Sequence, residues 1–311
     1  MRYSVRKGHK KYEIQDLIKL VNLTFQLEED QVITHHKKES SPSSKHIHLV
    51  TQWYHEENID RRKELVTVLH MNLLNEEISK IYFLQPKNKE CTLWKDVQIV
   101  VQFPLNILQQ KAVVYYMNET NADRLTIEEA LVFSNVLVNT GYVIVTNLDI
   151  FFDHSLILLR KLFYIDPNTV YYLSRYEIDP DISLLGCQCS DSSYVGSHDA
   201  LIFIPPLPKS VTKELPFEVG TWNIEVKIIY ELMQANYTIR NVCKSIRAWH
   251  LHSSQVRNRL MPSKKYISDK LLPLVLRRPE FLFNAASFHS EFPLYILFFT
   301  TIHFVFKTKY S

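Results

Sequence analysis

Two carboxylates four residues apart, Asp149 and Asp153, follow the run Tyr142-Val-Ile-Val-Thr-Asn-Leu148. Such a run of apolar and β-branched residues reads as a buried strand that ends in acids. In open α/β sheets ligands bind beyond the carboxyl ends of the strands, and acids placed there can hold a divalent cation and, through it, phosphate oxygens. The same residues admit a structural role, with Asp149 in a turn and Asp153 as the N-cap of a helix beginning at His154. Three later stretches add donors. Ser197-His198-Asp199 precedes the apolar run Ala200-Leu-Ile-Phe-Ile204, which puts an acid at the mouth of a second buried strand. Phe217-Glu-Val-Gly-Thr-Trp-Asn-Ile-Glu225 turns at a glycine into a helix whose first turn carries Glu225. Trp249-His250-Leu-His252-Ser-Ser254 sets two histidines in alternation on an extended segment. Asp149, Asp153, Glu225, His250 and His252 together make a pool of oxygen and imidazole donors suited to Mn2+ or Mg2+. The plainer reading of the histidines is one hydrogen-bonded ring beside one exposed ring, and of Glu225 a partner for its helix dipole.

The elements that must position these residues recur as strands separated by single helices. Strands are expected at 46–53, 78–84, 97–103, 142–146, 170–176, 200–204 and 237–242, and helices at 58–74, 126–137, 154–163 and 224–235. Leu65, Val68, Leu69 and Leu73 share one face of the first helix, and Thr126 with Glu129 has the form of a capping box. Repeated βαβ units imply an α/β fold with a mostly parallel central sheet flanked by helices. Residues 1–45 form an N-terminal extension, with an amphipathic patch at Ile14–Val21 and a polar linker at His35–Lys45; 46–262 form the main domain; 263–311 form a C-terminal extension.

A chain of 311 residues with 46% hydrophobic and 22% charged residues buries a full core, and a net charge of +3 makes no case for nucleic acid as a partner. Four scattered cysteines exclude a disulfide framework or a four-cysteine zinc site; Cys187 and Cys189 read as free thiols or as one optional bridge. With five glycines and no glycine-rich phosphate loop, any nucleotide must be held by other means, and a cation on carboxylates is the natural substitute. The basic N-terminus lacks an apolar segment of the secretory kind, so the expected location is cytoplasmic or peripherally membrane-associated. Pro293–Phe306 is apolar but shorter than the ~20 residues that span a bilayer; it either packs on the domain or makes peripheral membrane contact.

Five blocks in order, Asn147-Leu-Asp-Ile-Phe-Phe-Asp153, Leu173-Ser-Arg-Tyr176, His198-Asp-Ala-Leu-Ile-Phe203, Gly220-Thr-Trp-Asn-Ile-Glu225 and His250-Leu-His-Ser-Ser254, resemble a group of predicted glycosyltransferases of the nucleotide-diphospho-sugar transferase (GT-A) fold. In that group the blocks read N-S-D-I-x-F-D, L-S-R-W, Q-D-A-W-I-F, G-x-x-G-C-D-N and H-x-H-x-S. Arg61, Glu64 and Asn72 in the first helix and Arg124 before the second agree as well, so the resemblance spans about residues 47–258. It implies a glycosyltransferase that moves a sugar from a nucleotide-diphosphate sugar to an acceptor hydroxyl of a glycan or glycoconjugate. Asp149 would be the metal-binding acid, with Asn147 in place of the first Asp of a D-x-D motif and Arg61 and Arg124 on the donor. His250 or His252 would complete the metal shell, and Asp199 or Glu225 would be the base. The chain departs from the pattern where Asp becomes Glu225 and Asn becomes Val226, which leaves open a weakened or inactive binding protein of the same fold. A phosphatase with an Asp nucleophile after a strand fits less well, because its acids stand two apart.

Overall fold

The structure is a computed structural model and describes residues 46–100, 102–117, 124–137, 141–161, 167–178, 184–185, 198–221 and 224–254. The expected extensions at 1–45 and 263–311, Cys187 and Cys189 fall outside these residues. Of the described cysteines, Cys91 is a free thiol and Cys243 is disulfide-bonded.

Val, Ile, Leu and aromatic residues dominate the strands because most are covered on both faces. The strands are β1 (His46–Thr51), β2 (Ile78–Pro86), β3 (Ala112–Met117), β4 (Gly141–Thr146), β5 (Ile150–Phe152), β6 (Thr169–Ile178), β7 (Leu184–Leu185), β8 (His198–Phe203), β9 (Thr238–Arg240) and β10 (Ala248–His250). They form one sheet in the order β3-β2-β1-β4-β8-β6-β10-β5, with β7 and β9 also paired to β6. The half from β3 to β4 is parallel; β8 runs antiparallel between β4 and β6, so the sheet is mixed. Gly141 opens β4 directly beside His46, and a Cβ there would stand 2.2 Å from the His46 carbonyl oxygen, which only glycine avoids.

Helices cover both faces. α1 (Ile59–Leu74) is capped by the Asn58 side chain, which accepts from the Asp60 and Arg61 amides. Its Leu65, Leu69 and Leu73 pack with Ile47, Leu49, Tyr142 and Ile144 on one side of the sheet. On the other side, Val50, Val143 and Val145 meet Ala130 and Leu131 of α3 (Ile127–Ser134) and Ile228, Ile229 and Leu232 of α4 (Ile224–Gln234). The capping box of Thr126 and Glu129 is present. Val226 is part of this core, at 1% exposure, so the Asn that the resemblance places there is replaced by a packing residue.

One expected strand is absent. Residues Val97–Ile99 form a 3-10 turn after a short helical turn at Leu93–Asp96, followed by α2 (Leu105–Lys111) and the edge strand β3. The physical reason is Asp96, which is buried and accepts from Trp53 Nε1 at 3.0 Å and Thr92 Oγ1 at 2.6 Å. These bonds hold the segment beneath the exit of β1 instead of leaving it free to pair, and β3 takes the sheet edge.

Candidate functional site

β4 ends at Thr146, and the chain turns through Asn147 and Asp149 into the three-residue strand β5. β10 pairs with β5 in antiparallel register, His250 opposite Ile150, and the Leu251 amide donates to the Asp149 carbonyl. Two segments separated by about a hundred residues in sequence thereby meet, and the period-2 alternation of an extended chain sets His250 and His252 on one side. Their ring centroids are 5.4 Å apart.

Asp149 Oδ2 is the point on which the site converges. His250 Nε2 lies 3.1 Å away, His252 Nδ1 3.8 Å and Arg61 Nη2 2.5 Å. Arg61 also donates through Nη1 to Glu64 at 2.9 Å and to the Leu251 carbonyl at 2.8 Å. Glu64 in turn accepts from the backbone amide and the hydroxyl of Ser254, which ties the end of the histidine segment to α1. Among the described residues, Asp149, His250 and His252 are the group whose ligand atoms all lie within 4.8 Å of one another. One carboxylate and two imidazoles form a donor set that a divalent transition ion accepts, so these residues fit such a cation.

The charges are strongly coupled. Burial opposes the Asp149 carboxylate, but the hydrogen bond and charge of His250 and the Arg61 guanidinium outweigh it and hold the carboxyl well below its ordinary value. Burial likewise opposes the His250 imidazolium, yet Asp149 and Glu177 raise it to about 9. Without a cation, His250 is therefore protonated and donates to both carboxylates.

Glu177 and Arg175 were not singled out as site residues by sequence, although their charged i, i+2 spacing at the end of the apolar strand β6 is a signal. Glu177 Oε2 lies 2.6 Å from His250 Nδ1, and its Oε1 accepts from Arg175 Nε at 2.6 Å. Burial raises the Glu177 carboxyl, but the bond from His250 and the Arg175 charge bring it down to about 2. Arg175 Nη1 donates to Asp199 Oδ2 at 2.9 Å, and Asp199 Oδ1 accepts from Asn147 Nδ2 at 2.7 Å. Asp199 reaches Asn147 because β8 is antiparallel to β4, so the start of one strand lies beside the end of the other. With both oxygens engaged, Asp199 braces Asn147 and Arg175.

The remaining expected site residues are placed apart from the cation donors. Asp153 is buried, caps the turn His154–Leu156 through the Ser155 amide, and accepts from Arg247 Nε at 2.8 Å and Trp249 Nε1 at 2.9 Å. The cap geometry is present, three donors hold its carboxylate, and Asp153 is not in the donor group around Asp149. Glu225 lies in the first turn of α4 and is not in the donor group around Asp149. Tyr54, which sequence reasoning missed, is 41% exposed just beyond β1. Burial and the charge of Asp149 push its phenol up while Arg61 and Arg124 pull it down, so Arg124 stands within electrostatic reach of the same mouth.

No protein-family model matches the sequence, and no curated protein matches it. Solved structures do. The chain is similar to 4-diphosphocytidyl-2C-methyl-D-erythritolsynthase from Anaerococcus prevotii, at 16% identity over 68% of this chain and 91% of that one, with a TM-score of 0.38. It is similar to GalNAc-T7 with UDP, GalNAc and Mn2+, at 8% identity over 67% of this chain and 43% of that one, with a TM-score of 0.43. The mannosyltransferase PcManGT from Pyrobaculum calidifontis, in complex with GDP-Man and Mn2+, matches at 7% identity over 79% of this chain and 68% of that one, with a TM-score of 0.40. No helix of the described residues is long and apolar enough to cross a membrane.

Proposed function

We propose that the protein is a divalent-metal-dependent glycosyltransferase that moves a sugar from a nucleotide-diphosphate sugar to an acceptor hydroxyl of a glycan or glycoconjugate. The observation that carries this reading is the convergence of Asp149 Oδ2, His250 Nε2 and His252 Nδ1 at the carboxyl end of β4, with Arg61 on the same oxygen. Asp149, His250 and His252 would hold Mn2+ or Mg2+, which would supply Lewis-acid stabilisation of the departing nucleotide diphosphate. Arg61 and Arg124 bring fixed positive charge to the donor phosphates, and Asn147, held by Asp199, orients the turn that presents Asp149. Glu225, at the start of α4, is the base assigned to the acceptor hydroxyl.

The test is a panel of nucleotide-diphosphate sugars, with the full chain assayed for donor hydrolysis and for transfer, with and without Mn2+. Wild type turns over at least one donor when Mn2+ is present. Asp149→Asn is expected to lose about 100-fold or more of both reactions, because removing a ligand costs at least what loss of an outer support does. Glu225→Gln is expected to lose transfer and keep hydrolysis. Full turnover by Asp149→Asn would sink the assignment of the site.

A second reading, a GT-A-like binding protein without turnover, draws on the Arg61 guanidinium, which already neutralises Asp149 where a cation would. Calorimetry with UDP and GDP separates the two: binding without Mn2+ and no hydrolysis of any donor favours the second.

A further inference from the structure

The hydrogen bonds around Asp149 close into a ring. From Asp149 it passes to His250, then to Glu177, Arg175, Asp199 and Asn147, and the backbone returns from Asn147 to Asp149. The sheet builds this ring. β10 and β6 are parallel neighbours with His250 opposite Glu177 and Ala248 opposite Arg175, so the Glu177 carboxylate stands laterally beside the imidazole. His250 is 3% exposed and has one ring nitrogen on each carboxylate.

We infer that Glu177 is a positioning residue: by accepting the Nδ1–H of His250, it fixes the ring and the tautomer in which Nε2 faces the cation site. A neutral imidazole has one N–H and one lone pair, and the hydrogen bond made by one nitrogen decides which is which. When a cation takes the place of the Nε2 proton, the bond from Nδ1–H to Glu177 at 2.6 Å keeps the remaining proton on Nδ1 and leaves the lone pair on Nε2, the nitrogen that lies 3.1 Å from Asp149 Oδ2. Carboxylate support of this kind raises the basicity of a ligating histidine, and its loss costs 10–100-fold in metal affinity. Arg175 acts one step further out. It occupies the other Glu177 oxygen and links it to Asp199, so the carboxylate cannot swing away from the ring without breaking a second bond. The hydrogen-bond geometry is present without a cation; the part of the inference that concerns Mn2+ rests on the metal reading above.

The experiment titrates Mn2+ alone into the full chain, wild type and Glu177→Gln, and reads affinity by calorimetry together with the imidazole nitrogen signal in electron spin echo spectra of bound Mn2+. The fold of each variant is checked by its thermal unfolding midpoint. Glutamine keeps the size of the side chain but offers its NH2 to Nδ1 as readily as its oxygen, which releases the tautomer. Glu177→Gln is expected to weaken Mn2+ binding 10–100-fold and to reduce the nitrogen signal, with an unfolding midpoint near wild type. In a His250→Ala background the same substitution is expected to add nothing, since its effect runs through that ring. Where Glu177→Gln does not fold, Arg175→Lys replaces it, and a loss of nitrogen signal is expected there too. Wild-type binding matched by Glu177→Gln within twofold, with an unchanged nitrogen signal, overturns the positioning role and leaves the metal reading standing. Failure of wild type to bind Mn2+ overturns both.

Discussion

Asp149 and Asp153 have the same side chain, lie four residues apart and flank the same three apolar residues, yet they do different work. The difference lies in their donors. Asp149 faces two imidazoles and a guanidinium at 17% exposure, where ligands can reach it. Asp153 is enclosed by the Ser155 amide, the Arg247 guanidinium and the Trp249 indole, and its side chain is 1% exposed. Removing one partner of a buried pair leaves the other charge unmatched, a loss of about 3 kcal/mol or more. Asp153→Ala is therefore expected to lower the unfolding free energy measured by urea denaturation by that much. A loss under about 1 kcal/mol would show that Asp153 is not the structural residue its contacts describe.

At the scale of elements, α1 does more than cover the sheet. β5 is the last strand in the order, and its outer edge would expose unpaired backbone groups. Asn72 of α1 closes that edge: its side-chain amide donates to the Ile150 carbonyl at 2.9 Å and its oxygen accepts from the Phe152 amide at 3.1 Å. The Asn72 side chain thus mimics a neighbouring strand, while Arg61 and Glu64, two to three turns earlier on the same helix, reach Asp149 and Ser254. One helix face holds both the strand that follows Asp149 and the segment that carries the histidines. Asn72→Ala leaves two buried backbone groups unsatisfied, each worth about 1–3 kcal/mol. Its expected loss is about 2–6 kcal/mol, with faster amide exchange at Phe152; unchanged exchange there would remove the edge-closing role. The apolar face of α1 and the capping box of Thr126 and Glu129 were legible from residue spacing, and so was the alternation of His250 and His252. The strands β5 and β10 were not, because three residues are too few for a periodic signal and their pairing is nonlocal.

Across the whole molecule, the centre of the sheet contains a titratable group unrelated to the site. His48 of β1 is 5% exposed, its Nδ1 has no hydrogen-bond partner, and its ring packs against His46 and the edge of Tyr82. Burial, then the charges of His46 and Lys80, lower its pKa from 6.5 to about 4. Between those values the unfolded chain takes up a proton that the folded chain refuses, so stability falls as the pH drops through this window and is fully regained above pH 6.5. The expected loss reaches about 3 kcal/mol at the acid end. Denaturant midpoints measured from pH 7 to pH 4 check it, and His48→Leu is expected to flatten the slope; an equal slope in that variant would assign the effect elsewhere.

Local patterning by itself determined the α/β class and the helices that cover the sheet, and it offered a wider pool of possible cation donors, because hydrophobic period, caps and residue chemistry are all properties of short stretches. It also supplied the order of blocks that resembles the GT-A group. What only the tertiary structure decided is which donors meet. The antiparallel course of β8 carries Asp199 to Asn147, the pairing of β10 between β6 and β5 carries His250 to Asp149 and Glu177, and the turn at His154 withdraws Asp153. Those meetings depend on strand order and direction, which arise from packing between segments far apart in sequence and leave no periodic trace in any one of them.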